Sequence, residues 1–269
     1  MAAIRSLQPA LGRLVGNPII ILVAAVYGLL QLPQLLVPIT RPLLSTAVSL
    51  LMSGLIILFL PFYQGGILGM ADDARTGSTT LNEFIQAGKS NYISLLVAYF
   101  VVLAIATVFG VTVLIGTLVG GIGVVAGNGQ PSTAILAVLA AVGLLIVGAY
   151  LAIITAIQFY GHEIVLNDAS IVDGFTRSLG LVRENTLSVI GHSLLLFVGG
   201  GVGGGLAAAA SMLMSPQPPL ESMLPEISLP IVIGAAILSV LAVGLLGAFY
   251  ATYSVTFYRE LTESSRARM

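Results

Sequence analysis

Long apolar runs separated by short polar segments make up most of the chain. Six runs reach the length of about 20 consecutive apolar residues that a helix needs to cross a bilayer. They are Ile19–Val37, Leu43–Phe62, Tyr92–Val113 or beyond, Ala134–Phe159, Leu187–Leu206 or beyond, and Ile231–Phe257. None contains Asp, Glu, Lys or Arg. The polar segments before the odd-numbered runs have a different pattern. Ile4, Leu7, Leu11 and Leu14 fall at helical spacing, as do Leu81, Phe84, Ile85 and Gly88, and Ile171, Phe175, Leu179 and Val182. These segments are predicted to be short amphipathic helices lying in the membrane interface with Arg or Lys toward the headgroups; the alternative is connectors folded under the bundle. Thr80 with Glu83, and Ser170 with Asp173, fit capping boxes that start the second and third of them.

The same unit recurs three times. "FYQGG" at Phe62 closes the second run, "FYGHE" at Phe159 the fourth and "FYRE" at Phe257 the sixth. The segments before the odd runs end in Asn17, Asn91 and Asn185. The unit reads: amphipathic segment, Asn, span, link, span, Phe-Tyr. Three units, roughly 1–64, 80–160 and 171–258, fill a single domain of 269 residues. The expected fold class is therefore all-α, a polytopic membrane bundle of six transmembrane helices in three pseudo-repeated pairs.

Composition agrees. The chain is 57% hydrophobic and 8% charged, and its mean hydropathy is +1.06. A soluble domain is about a quarter charged, and this chain has too few charges to cover a core in water. The net charge of -1 gives no pull toward nucleic acid. Cys is absent, which excludes disulfides, thiolate metal sites and a cysteine nucleophile. The nine Arg against one Lys (Lys89) suggest a GC-rich, haloarchaeal type of genome and carry no mechanism. The positive residues set a direction: all but Arg41 fall on one side of the six-run layout. That side is expected to be cytoplasmic, with both termini on it, in the plasma membrane. The first run follows Arg5 and Arg13 like a signal peptide, but the second run comes so soon after it that an uncleaved anchor is expected.

Glycines concentrate in the outer halves of the third and fifth runs. Gly116 and Gly120, and Gly199, Gly201, Gly203 and Gly205 within "GGGVGGG", have small-xxx-small or near-adjacent spacing. Without a Cβ, two helices can approach closely there, so these are expected to be helix-packing positions. A broken helix lining a substrate path is the second reading.

The candidate chemistry is sparse. His162 and Glu163 follow the fourth run, but position 166 is Leu166, so a zinc-protease helix fails. They are expected to mark an exit, with Tyr160 at headgroup level, His162 and Glu163 meeting water or the next interfacial helix, and Glu163 placed to pair with Arg177 or Arg183. His192 lies about two turns into the fifth run and is expected to be a neutral, hydrogen-bonded core histidine, with Gln158 as its partner. A proton relay would call for a mid-depth carboxylate, and none occurs. Asp72 and Asp73 read as a solvated turn before Arg75. No phosphate loop and no nucleophile elbow is present. No cofactor or metal is expected.

The stretch "FYGHEIVLNDASIVDGFTRSLGLVREN" resembles a broad family of six-helix membrane proteins. That family includes the membrane domain fused to some glycerophosphodiester phosphodiesterases. The likeness lies in Phe159, Tyr160, Glu163, Asp168, Phe175, Ser178, Arg183 and Asn185. It implies a helical membrane domain with cytoplasmic amphipathic connectors, and it does not imply phosphodiesterase activity. The expected function is a non-catalytic membrane scaffold or accessory subunit that binds membrane lipids, a partner membrane protein or a second copy of itself. The alternative is a transporter or channel for a small or amphipathic solute, which would show a polar mid-depth cavity around His192, Gln158 and the glycines of the third and fifth runs. A membrane-embedded enzyme comes third and needs His162, Glu163 and Asp168 in one cleft.

Overall fold

The computed structural model describes residues 2–36, 42–126, 133–214 and 229–266. The expected outer links "PITRP", "NGQPS" and "SPQPPLESMLPEISLP" lie almost wholly outside the described residues, as do Arg41 and Arg268. The helices are α1 (Ala2–Arg5), α2 (Leu7–Gly16), α3 (Ile19–Leu36), α4 (Pro42–Asp73), α5 (Leu81–Ser90), α6 (Tyr92–Ala126), α7 (Thr133–Ile157), α8 (Tyr160–Asn167), α9 (Ile171–Glu184), α10 (Thr186–Met214) and α11 (Leu229–Arg266). No strand occurs among the described residues.

Five helices are long and apolar enough to cross a membrane, and α3 forms a sixth candidate together with the α1–α2 segment, from which it bends by 90°. Backbone hydrogen bonds closed within each helix are what hydrocarbon requires. The outward surface suits the same solvent. Leu144, Leu145 and Phe197 are 74%, 73% and 79% exposed, and α7 buries no residue at all. In water such a surface would aggregate.

Two boundaries differ from the sequence reading. The pattern ends the second run at Phe62, yet α4 continues to Asp73 and has 32 residues; α11 continues past Phe257 and has 38. At 1.5 Å per residue these helices are about 48 and 57 Å long, well beyond the ~30 Å of a hydrocarbon core. Their last turns therefore stand clear of it, and there the charged residues gather. We call this the polar end. Gly65 and Gly66 do not break α4, because α5 docks across them.

The core sits at the polar end. Its largest cluster joins Leu14, Ile20 and Ala24 to Ile67, Met70, Ala71, Ala251 and Val255. The hub is α11, which packs on α2, α3, α4 and α10, while α5 packs on α4 and α8 on α4 and α9. Small residues permit the closest crossings. A Cβ on Gly244 of α11 would lie 3.1 Å from the Ile21 carbonyl of α3.

Local signals behave as their chemistry dictates. The Thr80 hydroxyl accepts from Glu83 N–H at 3.4 Å, and the Ser170 hydroxyl accepts from Asp173 N–H at 3.2 Å. Asn17, Asn91 and Asn185 each follow a helix as its C-cap, and each amide donates to the carbonyl four residues back: Arg13 at 3.0 Å, Ala87 at 3.0 Å and Leu181 at 3.1 Å. A side-chain amide thus adds a donor to a carbonyl of the helix's last turn.

Candidate functional site

Two places combine function-grade groups with shape: a buried polar assembly at the polar end, and an apolar groove further along α10 and α11.

The assembly begins at the break between α7 and α8. Gln158 and Phe159 interrupt the helix, and Ser178 of α9 repairs the interruption. Its hydroxyl accepts from Phe159 N–H at 3.1 Å and donates to the Ala156 carbonyl at 2.9 Å. Ser178 is wholly buried, so these backbone groups have no water to turn to. Helix α8 carries on from α7 as part of one candidate span, Thr133–Asn167, and is covered by α4 and α9. Tyr160 is covered by its neighbours. It is 9% exposed and stacks on Phe175 at 5.0 Å.

His162 and Glu163 are buried as well, at 6% and 4% exposure, so of the two expected surroundings they lack water, and α8 packs on the next amphipathic helix, α9. His162 Nε2 lies 3.2 Å from the Ser254 hydroxyl, and its Nδ1 has no partner. Glu163 does not pair with Arg177 or Arg183. Its carboxylate accepts from Asn167 at 3.0 Å, and Asn167 also donates to the Tyr258 hydroxyl. Arg177 and Arg183 are exposed and make no ion pair among the described residues.

His192 of α10 is 1% exposed. Its ring lies parallel to Phe257 at 4.2 Å and stacks on Tyr253 at 5.0 Å. Its Nδ1 has no partner, and Gln158 does not supply one: the Gln158 carbonyl accepts from Ser193 at 3.4 Å while its amide nitrogen is buried and unpaired. The two imidazoles share one neighbour, since Phe159 lies 5.6 Å from His162 and 5.8 Å from His192. What holds His192 is aromatic packing. His192→Phe, which keeps the stack and removes a buried unpaired nitrogen, is expected to stay within about 1 kcal/mol of the parent. His192→Ala is expected to cost about 2–4 kcal/mol. Thermal unfolding in detergent followed by circular dichroism separates the two. Equal losses would give the imidazole nitrogens a bonding role.

Sequence reasoning missed the centre of the assembly. Asp72, which reads in the sequence as part of a solvated turn, receives a bidentate guanidinium: Arg259 donates Nε–H to Oδ1 at 2.9 Å and Nη2–H to Oδ2 at 2.6 Å. Arg259 also donates to the Asn167 side chain and the Leu166 carbonyl, each at 3.4 Å. Arg75 adds contacts to Asp72 at 3.3 Å and Glu263 at 3.4 Å. One connected set of hydrogen bonds thus joins the ends of α4, α8 and α11. Helix continuity past Phe62 and Phe257 is the signal that would have found it, because it carries Asp72 and Arg259 out to the same level. A separate polar cleft of about 520 Å³ opens beside Asp72, Asp73, Glu83, Gln86 and Asp168. Asp168 lines it, and His162 and Glu163 do not. No group of three His, Asp or Glu spaced for a metal ion occurs among the described residues.

The groove lies toward the apolar end, between α10 and α11, with Tyr27 of α3 at its side. It measures about 540 Å³ and is lined by Leu195, Gly199, Gly200, Gly203, Gly204, Leu246 and Tyr250 among others. His192 and Gln158 do not line it. Its walls are almost entirely hydrocarbon. This changes the meaning of the glycines. Around Gly116, Gly199, Gly201 and Gly205 an added Cβ would meet no atom of another helix within 4 Å among the described residues, so among those residues they are not close-packing positions. Gly120 and Gly203 meet only leucine side-chain tips, Leu139 at 3.2 Å and Leu246 at 3.0 Å. Two neighbours, Gly199 and Gly200, are floor instead of contact.

The profile of the family described as Domain of unknown function (DUF7847) matches residues 1–261, and the chain belongs to that family. No curated protein and no solved structure shows a significant match to it.

Proposed function

We propose that this DUF7847 member is a non-catalytic, multi-pass membrane protein that binds the acyl chain of a membrane lipid in the groove between α10 and α11. The observation that carries the reading is the groove itself: about 540 Å³, apolar, and floored in part by Gly199, Gly200 and Gly204, where an added Cβ meets nothing among the described residues. That volume falls within the ~300–1,000 Å³ of ordinary ligand sites. Exposed Phe197, Val198 and Val202 flank it on α10, so its entrance borders lipid and not water. A solute transporter is the weaker reading, because the cavity at the glycines is apolar and the buried polar groups stand apart from it.

The wider architecture we propose has six spans in three related pairs, both termini cytoplasmic, and α2, α5 and α9 at the inner interface of the plasma membrane. The shared amide caps at Asn17, Asn91 and Asn185 support the repeat. The exposed Leu81 and Ile85 on α5, beside charged neighbours, support an interfacial position. The resemblance of the 159–185 segment to the membrane domains fused to phosphodiesterases is compatible with this plan and adds architecture only.

Filling the groove tests the reading. An added Cβ at Gly200 or Gly204 meets open space, and each Gly→Leu change favours the helix by roughly 0.5–1 kcal/mol. The double variant Gly200→Leu/Gly204→Leu is therefore expected to fold as well as the parent and to lose a lipid that survives gel filtration of the parent. Lipid quantification per chain after extraction in polymer-bounded native discs reads the difference. Unchanged lipid content would reject the groove as the site.

A further inference from the structure

The one lysine of the chain stands over a second, separate trench. At the junction of α4, α5 and α6, Leu55, Leu58, Phe59 and Phe62 of α4 form an apolar channel closed by Lys89 and Tyr92, with a volume of about 470 Å³. Leu55 and Leu58 are 49% and 53% exposed, so the channel is open along its side. Tyr92 is fixed at its rim by a hydrogen bond from its hydroxyl to the Leu58 carbonyl at 3.2 Å. Lys89 closes the last turn of α5, is exposed, and makes no ion pair among the described residues. Arg5, Arg75 and Arg259 pair with carboxylates and Arg13 bonds to the Thr256 hydroxyl; Arg177 and Arg183 are also exposed without an ion pair among the described residues, but only Lys89 lines the trench.

Depth gives these residues their meaning. α4 runs from Leu55, inside the apolar stretch, to Phe62, where α5 crosses it. The charge therefore stands at the polar mouth of a trench whose body is hydrocarbon. An amphiphile with an anionic head and an apolar tail matches that order. A cation lying alone at the membrane surface attracts acidic lipid, and the phenol at the rim lies at the depth where tyrosines meet headgroups. A neutral ligand would leave Lys89 unanswered, and a soluble anion would leave the trench empty.

We propose that this trench binds an anionic phospholipid, with its phosphate at Lys89 and one acyl chain along Leu55, Leu58 and Phe59. The site is independent of the α10–α11 groove, and either can fail without the other.

The chain lacks Trp, which makes a direct test simple. Leu51 lies one turn from Leu55, is 64% exposed and does not line the trench. Leu51→Trp in the full chain is then the sole indole, beside the site and not in it. The protein is reconstituted into phosphatidylcholine vesicles containing an equal fraction of dibrominated phosphatidylglycerol or dibrominated phosphatidylcholine. The brominated anionic lipid is expected to quench as though enriched about fivefold at the reporter, the scale of one basic side chain at an anionic surface. Lys89→Gln is expected to remove the preference and Lys89→Arg to keep it. Equal quenching by the two lipids, or a preference that survives Lys89→Gln, overturns the site. Native mass spectrometry of the unlabelled chain tests the same site without the reporter: phosphatidylglycerol adducts fall in Lys89→Gln if the site exists, and stay level if it does not.

Discussion

Gly66→Leu is expected to leave little folded protein. α5 crosses α4 at glycines on both sides of the contact. A Cβ on Gly66 would lie 2.4 Å from the Phe84 ring and 2.6 Å from the Phe84 carbonyl oxygen; one on Gly69 would lie 2.4 Å from Ala87 Cβ; one on Gly88 would lie 2.9 Å from the Phe62 carbonyl oxygen. Rings can turn aside, but a backbone carbonyl moves only with its helix. The loss should therefore exceed the usual 1–3 kcal/mol of overpacking and reach roughly 3–5 kcal/mol. It would also part the edge-on contact of Phe62 with Phe84, at 5.4 Å. Size-exclusion of a fluorescent fusion is expected to show a small monodisperse peak and a depressed thermal midpoint. Gly116→Leu is the matched control: its added side chain meets open space, so recovery is expected to equal the parent or improve. A normal midpoint for Gly66→Leu would mean that α5 does not dock there.

Asp72→Asn should produce the second large effect. The substitution keeps the shape and removes the charge that faces two donors of Arg259, at 2.9 and 2.6 Å. An Asn amide set against a guanidinium opposes donor to donor. Both side chains are about a quarter exposed, at 26% and 23%. Removing one partner of a buried pair costs about 3–5 kcal/mol, and partial hydration brings the expectation to about 2–3. Arg259→Gln should cost as much. The double variant should cost less than the sum, with a coupling of about 1–2 kcal/mol. Arg75→Gln should stay below about 1 kcal/mol, since its partner Glu263 is 71% exposed. Thermal midpoints of the four chains in detergent complete the cycle. Additive losses for Asp72 and Arg259 would mean that the pair does not tie α4 to α11.

These two effects fall where local pattern and fold part company. The sequence alone determined the helical class, the apolar spans, the capping boxes at Thr80 and Ser170 and the asparagine stops. Each of these rests on interactions within about four residues or on the solvent that a composition demands. Tertiary structure decided the rest. "FYQGGILGM" has the composition of a chain break, yet it is continuous helix, because the glycines admit α5 and the helix hydrogen bonds need no side chain. "GHE" reads as an exit, yet α8 is covered by α4 and α9, and Ser178 of α9 satisfies the break beside it. Asp72 was legible as a charge but not as half of a pair, since Arg259 lies 187 positions away. The α10 glycines were legible as small, but whether a small residue admits a helix or leaves room for a lipid depends on what stands opposite. That is set by how the spans assemble, which no window of a few residues contains.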